Sequence, residues 1–363
     1  MIQNNSRPKT AIILFNLGGP DGPDAVAPFL FNLFNDKAII SVMQPLRWLL
    51  AKLISRRRAP VAKEIYAHLG DKSPLLENTE AQAAALEKTL NGGGDGRGDD
   101  CEDGSFRVFI AMRYWHPFSD ETAVKVRDFE PDKIILLPLY PHFSTTTTGS
   151  SIVDWHRAAK SAGLNVPTSV ICCYPVEAGL AQAMAGRIKP GLDRALKEIS
   201  APPRLLFSAH GLPQKIVDKG DPYPGQIEAN AACVAAVLET DFPGLDWTVC
   251  YQSRVGPLEW IGPSLDDEIE RAGIEGKALV VFPIAFVSEH SETLVELDIE
   301  YAKIAEAKGV PAYIRVPTLG DDQIFIDLLT RLVKNILPDG GSVIPASGER
   351  FCPASAVSCP LAL

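Results

Sequence analysis

The sequence has no excess of positive charge. Its 35 lysine and arginine residues are outnumbered by 45 aspartate and glutamate residues, which gives a formal net charge of -10 at pH 7. A protein that binds nucleic acid needs a clustered cationic surface that can neutralise phosphates. The charge balance therefore predicts no nucleic-acid partner.

The sequence also lacks the features of secreted and membrane-spanning proteins. Its seven cysteines are an odd number scattered along 363 residues, and a chain of this length can build its core without disulfides. The N-terminus has no uninterrupted apolar segment, and the longest apolar run, residues 278–287, has about half the length of a membrane span. We expect a cytoplasmic protein in a reducing compartment.

Several common catalytic and binding motifs are missing. The turns at 18–20 and 145–151 match neither nucleotide-binding glycine pattern, and Pro20 removes a backbone donor that a phosphate site would use. No His-Glu-x-x-His motif and no closely spaced Cys and His set are present. A metal-dependent hydrolase and a structural zinc site are therefore disfavoured.

The sequence contains a series of short apolar runs that have the length of buried β-strands. Such continuous apolar runs, separated by helical patterns, predict an α/β fold with parallel sheets covered on both faces. Eight segments divide into two groups of four: 11–17, 106–112, 133–139, 168–172, 204–208, 247–252, 278–286 and 312–316.

The length of the chain predicts two domains, because it exceeds what one hydrophobic core usually organises. We expect an N-terminal domain at 8–174 and a C-terminal domain at 175–319. A terminal helix at 320–340 should pack back on the first domain, followed by a cysteine-containing tail at 341–363. The glycine- and aspartate-rich segment 91–104 reads as a surface insertion.

His210 is the first candidate for chemistry. It follows a predicted strand and precedes Gly211 and Pro213, and ligands of such sheets bind beyond the carboxyl ends of the strands. An imidazole at this rim can act as a base or as a metal ligand near neutral pH. The alternative is a histidine hydrogen-bonded to a loop backbone.

A second candidate is a row of four glutamates. They are three, four and four residues apart after a strand, so they would form one carboxylate ridge on a helix: Glu289, Glu292, Glu296 and Glu300. Oxygen donors beside an imidazole suit a divalent metal that is held transiently. The alternative is a solvated helix face.

Apolar and aromatic residues also collect near the predicted strand ends. They are Leu17, Tyr114, Trp115, Tyr140, Phe143, Tyr251, Trp260 and Phe286. On base rates about half of these residues belong to the core, and the others would line a cleft for a flat ligand. The segment 29–60 mixes apolar residues with cations. It either packs on its own domain or forms a lip at a membrane surface.

Several of these segments match a known family. The chain resembles ferrochelatases of the bacterial type in the motifs at 14–20, 205–213, 220–223, 251–257 and 286–294. The resemblance implies an enzyme, a lyase that inserts ferrous iron into protoporphyrin IX and releases two protons in the final step of haem biosynthesis. It also implies a class II chelatase-like fold of two Rossmann-like domains, each with a four-stranded parallel sheet flanked by helices.

The resemblance further implies roles for individual residues. His210 and Glu292 would be the metal-site pair, with Glu289 and Glu296 in the acidic ridge. We accordingly expect His210, Glu292 and Glu289 to be catalytic. The porphyrin cleft would be lined by Leu17, Arg113, Tyr114 and Trp260.

Some ferrochelatases hold a [2Fe–2S] cluster through four cysteines, three of them near the C-terminus. This tail supplies only Cys352 and Cys359, and Thr145 stands where the animal enzymes place the upstream ligand. Cys172 and Cys173 could complete four thiolates, the alternative being free cysteines.

The resemblance leaves other readings open. A sister chelatase acting on coproporphyrin or using cobalt, or a non-catalytic porphyrin or haem carrier, would share much of it. The expected partners are protoporphyrin IX and ferrous iron as substrates. The cationic, apolar segment allows peripheral association with the inner face of the cytoplasmic membrane.

Overall fold

The protein is described here as a computed structural model covering residues 8–92, 104–199, 201–254, 256, 258–337, 341–345 and 348–361. The described strands form two parallel sheets, ordered β2-β1-β3-β4-β9 and β6-β5-β7-β8. Their bounds are β1 Lys9–Asn16, β2 Ser105–Met112, β3 Lys133–Pro138, β4 Thr168–Ile171, β5 Arg204–His210, β6 Asp246–Gln252, β7 Leu279–Pro283, β8 Tyr313–Arg315 and β9 Val343–Ile344.

The eight predicted strands are confirmed, and with them the α/β fold of two parallel sheets. The central strands β1 and β7 are buried along almost their whole length, as their continuous apolar sequences predict. Sequence analysis did not predict β9, which pairs with β4 and adds a fifth strand to the first sheet. Its two residues are too few to show any periodicity.

Helices cover both faces of the sheets. They are α1 Val26–Phe34, α2 Gln44–Ala67, α3 Leu75–Leu90, α4 Ser119–Phe129, α5 Thr148–Ser161, α6 Ala178–Glu198, α7 Gln214–Val217, α8 Tyr223–Leu238, α9 Leu265–Glu275, α10 Ala302–Ala307 and α11 Gln323–Ile336. Local sequence fixes some ends: Ser264 and Asp267 form a capping box that starts α9, and Gly276 ends it in a left-handed conformation.

The glutamate row lies on a π-helix, Glu292–Tyr301, that continues into α10. The prediction of one helical ridge beginning at Glu289 was wrong at its start, because Glu289 precedes the helix. The reason is local. The loop after β7 continues to His290. There the backbone N–H of His290 donates to Thr293 Oγ1, and the Thr293 hydroxyl donates to the His290 carbonyl, so these two bonds fix the start of the helix after Glu289.

The two sheets share one continuous apolar core. It includes Leu14 of the first sheet and Phe207 and Phe282 of the second, and α11 packs against both α3 and α6. The domain bounds expected from sequence stay a prediction. Most of the glycine-rich segment 91–104, including Cys101, lies outside the described residues, as do Val255 and Pro257.

Polar contacts also join the halves of the molecule. Gln82 on α3 donates to the carbonyls of Val287 and Gly320, and Asn78 donates to the Glu289 carbonyl. The carbonyls of Val287 and Glu289 belong to the loop between β7 and the π-helix, and that of Gly320 belongs to the loop after β8. Through these bonds α3 holds the backbone that leads into the π-helix.

Candidate active site

His210 lies at the end of β5, where its imidazole reaches the rim of the second sheet. Its Nδ1 is 2.6 Å from the Gly211 carbonyl, and Nε2 is 3.7 Å from Glu292 Oε2. The hydrogen bond to the carbonyl places the proton on Nδ1 and leaves Nε2 able to accept one. Because 39% of the His210 side chain and 29% of the Glu292 side chain are exposed, both groups are accessible to a ligand.

Ser253 joins two carboxylates of the π-helix. Its hydroxyl donates to Glu296 Oε2 at 2.6 Å and lies 3.5 Å from Glu292 Oε2. Burial, together with the charge of Glu292, raises the pKa of Glu296 to about 7. Ser253 adopts a positive φ of 62°, an uncommon conformation for a residue with a side chain. The site therefore contains a carboxyl that can change protonation state near neutral pH.

Gln252 fixes the start of the π-helix from the second sheet. Its amide donates to the Glu292 carbonyl at 3.0 Å and accepts from the Ser208 hydroxyl at 2.7 Å. Both side chains are fully buried. The strand ends of β5 and β6 therefore hold the backbone of Glu292 next to His210.

Glu289 is brought near the site but is not free. Its carboxylate pairs with Arg315 at 2.6 Å and accepts from the Thr318 backbone N–H at 2.9 Å. Burial opposes ionisation, but the charge of Arg315 and the hydrogen bond from the Thr318 backbone outweigh it and lower the pKa of Glu289. Glu289 is therefore a fixed anion beside the helix, while Glu300 is exposed at its far end.

Two further residues touch the start of the π-helix. His290 accepts from the Glu292 backbone N–H, and burial lowers the His290 pKa against the nearby carboxylates. Tyr66, on α2 of the first domain, hydrogen-bonds Ser291, and burial raises the Tyr66 pKa to about 12. The neutral phenol and imidazole bring no charge to the site beside Glu292.

On the first domain, Arg113 and Tyr114 follow β2 and share one partner. Asp36 accepts from Arg113 Nη2 and from the Tyr114 hydroxyl, both at 2.8 Å, and from Ser150. Arg113 Nε also donates to Ser150 at 2.7 Å. Tyr114 has no exposed surface, so in this structure its ring supports Arg113 and presents no face to a ligand.

Leu17 and Trp260 lie at the strand ends of different domains. Leu17 packs with Tyr66 and Tyr114 in a cluster that the first domain builds beneath α1 and α2. Trp260 forms a bridge with Pro213, and its indole approaches Gly211 so closely that a Cβ there would meet Trp260 Cε3 at 3.2 Å. Trp260 is therefore next to His210, and Tyr66 joins the Leu17 cluster to the π-helix.

The four cysteines named as candidate ligands also come together. Cys172 and Cys173 follow β4 with their sulfurs 3.7 Å apart, and Cys352 hydrogen-bonds Cys359 within the tail. Electrostatic interactions link Cys173 with both tail sulfurs, and all four side chains are buried. Burial raises the Cys352 pKa to about 11, so this thiol is neutral at pH 7 when no metal is bound. The hydrogen bond with Cys173 lowers the pKa of Cys172.

The apolar, cationic segment forms the exposed part of α2. This helix buries small residues such as Ala51 and Ser55 and leaves large ones outward: Leu46, Trp48, Leu49 and Leu53. Met43, just before the helix, is exposed as well. Trp48 still packs edge-on against Phe31 of α1, whereas Leu49 and Leu53 extend into solvent. Packing on its own domain and a lip at a membrane surface both stay predictions. Within the described ranges, no helix is long and apolar enough to span a membrane.

The described residues contain no preformed site for a single metal ion. Over the part of the chain that the structure describes, no three His, Cys, Asp or Glu side chains converge as ligands of one ion. His210 and Glu292 are thus a pair without a third ligand. Such an arrangement can bind a metal transiently and release it, unlike a closed structural site.

Comparison with known proteins agrees with this arrangement. The family model described as Ferrochelatase matches residues 9–337. The chain belongs to the ferrochelatase family. It is 54% identical to a ferrochelatase of Phenylobacterium zucineum over 97% of each chain. It is 53% identical to one of Caulobacter vibrioides, again over 97% of each chain.

The fold is similar to that of a solved chelatase. SirB of Bacillus subtilis, solved with Fe3+, matches with a TM-score of 0.51, covering 90% of this chain and 95% of that chain. The sequence identity is 9%, so this similarity concerns the fold alone. It confirms the two-domain, chelatase-like fold that the ferrochelatase resemblance implied.

Sequence reasoning missed three side chains of this ferrochelatase site. Asp36 and Tyr66 come from outside the strand ends, and no local pattern distinguishes them from ordinary polar residues of α1–α2. Ser253 was visible as a strand-end residue after β6. Only the structure shows that its hydroxyl lies between Glu292 and Glu296.

Proposed function

We propose that this chain inserts ferrous iron into protoporphyrin IX to form protohaem, with release of two protons. Membership of the ferrochelatase family supports this reaction. The single observation that carries the site is the pairing of His210 Nε2 with Glu292 Oε2 across 3.7 Å at the end of β5. Iron and porphyrin are substrates, and protohaem synthesis is the last step of haem formation.

His210 is the proposed proton acceptor. A free-base porphyrin carries two N–H protons in the plane where iron must bind, so both must leave as the metal enters. Nε2 of His210 can accept a proton, because the imidazole's existing proton is on Nδ1, hydrogen-bonded to the Gly211 carbonyl. Glu292, near enough to share that proton or to bind iron, completes the metal-site pair.

The carboxylates beyond Glu292 provide a route for protons. Ser253 can pass a proton between Glu292 and Glu296, since its hydroxyl both donates and accepts. Glu296 can receive it once the pH exceeds its raised pKa of about 7. The ion pair with Arg315 argues against Glu289 as a free carrier, and we assign Glu289 to positioning the π-helix.

The porphyrin is proposed to lie between the domains. Trp260 beside His210 and Leu17 of the first domain would contact the macrocycle, and Arg113 would stabilise the polar edge. Asp36 and Ser150 hold the Arg113 guanidinium in one orientation. Tyr114, fully buried under it, contributes by fixing Arg113. A rigid cleft can hold a bent macrocycle from such remote contacts.

The deciding experiment is an anaerobic metallation assay. Purified protein is mixed with ferrous iron and protoporphyrin IX, and the porphyrin absorption is followed over time. Coproporphyrin III and cobaltous ion serve as the alternative substrates of a sister chelatase, a reading that the comparisons do not favour. Metallation no faster than in a protein-free control, with every pair tested, would make the chain a porphyrin carrier at most.

The four buried cysteines are proposed to hold a [2Fe–2S] cluster. Their residue types fit: four sulfurs, no competing carboxylate among them, and an amide donor from Gln226 directed at two of them. Their contacts are pairwise, within 172–173 and within the tail, as suits two irons better than one ion. The group would supply one-electron redox chemistry and would tie the tail to the first domain.

Freshly purified protein tests this proposal by its visible absorption and by iron and sulfide assays. We expect a coloured protein with about two sulfides per chain, and a Cys173→Ser variant that loses both colour and sulfide. Cys233→Ser is the matched control, because Cys233 is partly buried on α8 and packs against the main apolar core, not in the clusters that contain the four thiols. Colourless protein without sulfide would refute the proposed cluster.

We also propose peripheral binding to an anionic membrane surface through α2. Leu49 and Leu53 are 58% and 65% exposed beside cations such as Lys52, the combination that such surfaces attract. Vesicles of phosphatidylglycerol should sediment the protein, whereas vesicles of phosphatidylcholine should not. Leu49→Glu with Leu53→Glu should abolish binding. Val61→Glu, at an exposed position later on α2, should not.

A further inference from the structure

Gln226, on α8, lies at the point where the tail, the first domain and the second domain meet. Its side chain is almost fully buried. The amide oxygen accepts from the Phe143 backbone N–H at 2.7 Å. That bond orients the amide, because it turns the oxygen toward Phe143 and the two N–H bonds toward the opposite side of the amide group.

On that other side are two sulfurs of different chain segments. Gln226 Nε2 lies 3.2 Å from Cys352 Sγ and 3.6 Å from Cys173 Sγ. One donor group thus contacts a thiol that follows β4 and a thiol of the tail. Asn230, one turn further along α8, makes a comparable bridge to His142 of the first domain, with an Nε2–Oδ1 distance of 3.1 Å. Among the described residues, its side chain has no hydrogen bond to a sulfur.

We propose that Gln226 is the positioning residue of the four-cysteine site: it sets the separation of Cys173 and Cys352 and raises the reduction potential of the cluster they hold. This inference rests on the cluster proposed above. Hydrogen bonds to ligand sulfurs are a recognised control of cluster potential, since they stabilise the reduced state, which carries the additional negative charge.

The experiment compares Gln226→Met with Asn230→Leu in the full-length protein. Methionine keeps the bulk of glutamine but donates no hydrogen bond. The readouts are the spectroscopic midpoint potential and the electron paramagnetic resonance spectrum of the reduced cluster. At the wild-type midpoint we expect about a tenfold lower ratio of reduced to oxidised cluster in Gln226→Met, equivalent to about 59 mV for one electron. Asn230→Leu should keep the wild-type midpoint.

Gln226→Glu serves where Gln226→Met folds poorly, because a carboxylate still accepts from Phe143 but cannot donate to sulfur. A folded Gln226 variant that loses its cluster while Asn230→Leu retains it also supports the assignment. A full cluster with the wild-type midpoint and spectrum in both Gln226 variants overturns it. The cluster content of the wild type is measured first, so colourless, sulfide-free wild-type protein refutes the cluster proposal itself and Gln226's role with it.

Discussion

The strand ends of the two domains differ in how completely their polar groups are partnered. On the first domain, one buried carboxylate, Asp36, satisfies Arg113, Tyr114 and Ser150 together. On the second, His210 and Glu292 stand 3.7 Å apart, beyond hydrogen-bond distance, and Glu296 shares its surroundings with another carboxylate. The polar network around Asp36 in the first domain is fixed by its hydrogen bonds, whereas the second domain contains groups that can change protonation state.

This difference predicts which half of a metal-inserting cleft provides rigidity and which half provides reactive groups. A fully satisfied network resists rearrangement, because breaking any bond leaves a buried charge or donor unpaired. Groups with unmet partners are able to accept protons or a metal. Substitutions on the first domain should therefore act mainly on stability, and those on the second mainly on turnover.

The largest expected effect is on turnover, from His210→Ala. Losing the proton acceptor should lower kcat by about 10^2 to 10^4-fold, while the folded protein still binds protoporphyrin IX, as measured by porphyrin fluorescence. His116→Ala is the control, since His116 pairs with Glu121 at an exposed position of the first domain. Near-normal turnover by His210→Ala would remove this residue from the mechanism.

The next effect should appear as lost stability on the first domain, in Asp36→Ala. Arg113, 20% exposed, and the buried Tyr114 hydroxyl would lose their shared acceptor, at a cost of about 3–5 kcal/mol in the free energy of unfolding. Urea denaturation measures it. Asp120→Ala breaks an exposed pair with Arg157 and should cost no more than about 1 kcal/mol. Equal costs would contradict the distinction drawn between the domains.

Glu296→Gln should reveal the protonation change in the second domain. Folded Glu296 keeps its proton up to a pH of about 7, against a usual 4.5. The stability gained from this retained proton is present below pH 4.5 and is lost as the pH rises through 7. Relative to wild type, Glu296→Gln should therefore gain about 3 kcal/mol between pH 4 and pH 8. A pH-independent difference would rule out the raised pKa.

The smallest effect should come from Tyr66→Phe, which removes a hydrogen bond between the domains. The loss of the contact with Ser291 should cost about 1 kcal/mol and speed amide hydrogen exchange at the start of the π-helix. Tyr313→Phe removes a bond to the Leu297 carbonyl within the second domain. If only Tyr313→Phe speeds exchange at residues 291–292, the first domain does not position this helix.

Much of the fold was predictable because strand and helix patterns are local. Strands β1 to β8, and the place of His210 at the end of β5, follow from continuous apolar runs and the turn after them. Glu292 was predictable as a member of an acidic row. The same row did not distinguish Glu289, because its partner Arg315 lies 26 residues away in sequence, and spacing carries no information about such a partner.

The remaining features depend on packing between distant segments. A π-helix and an α-helix place residues four apart on similar faces, so the glutamate spacing could not separate them. Asp36 becomes a shared acceptor only when the end of β2 and the start of α5 meet above it. The four cysteines were candidates by residue type, and their meeting depends on how a tail that shows no periodicity folds back across α8.

That tail has a mechanical consequence. Its β9 pairs with β4 of the first domain through Val343 and Val170. Further on, the Ser358 backbone N–H donates to the carbonyl of Gly220 in the second domain, where Val357 occupies the space that a side chain at 220 would need. The tail thus ties the two domains together by contacts made outside the apolar core, and we expect its removal to loosen their relative position.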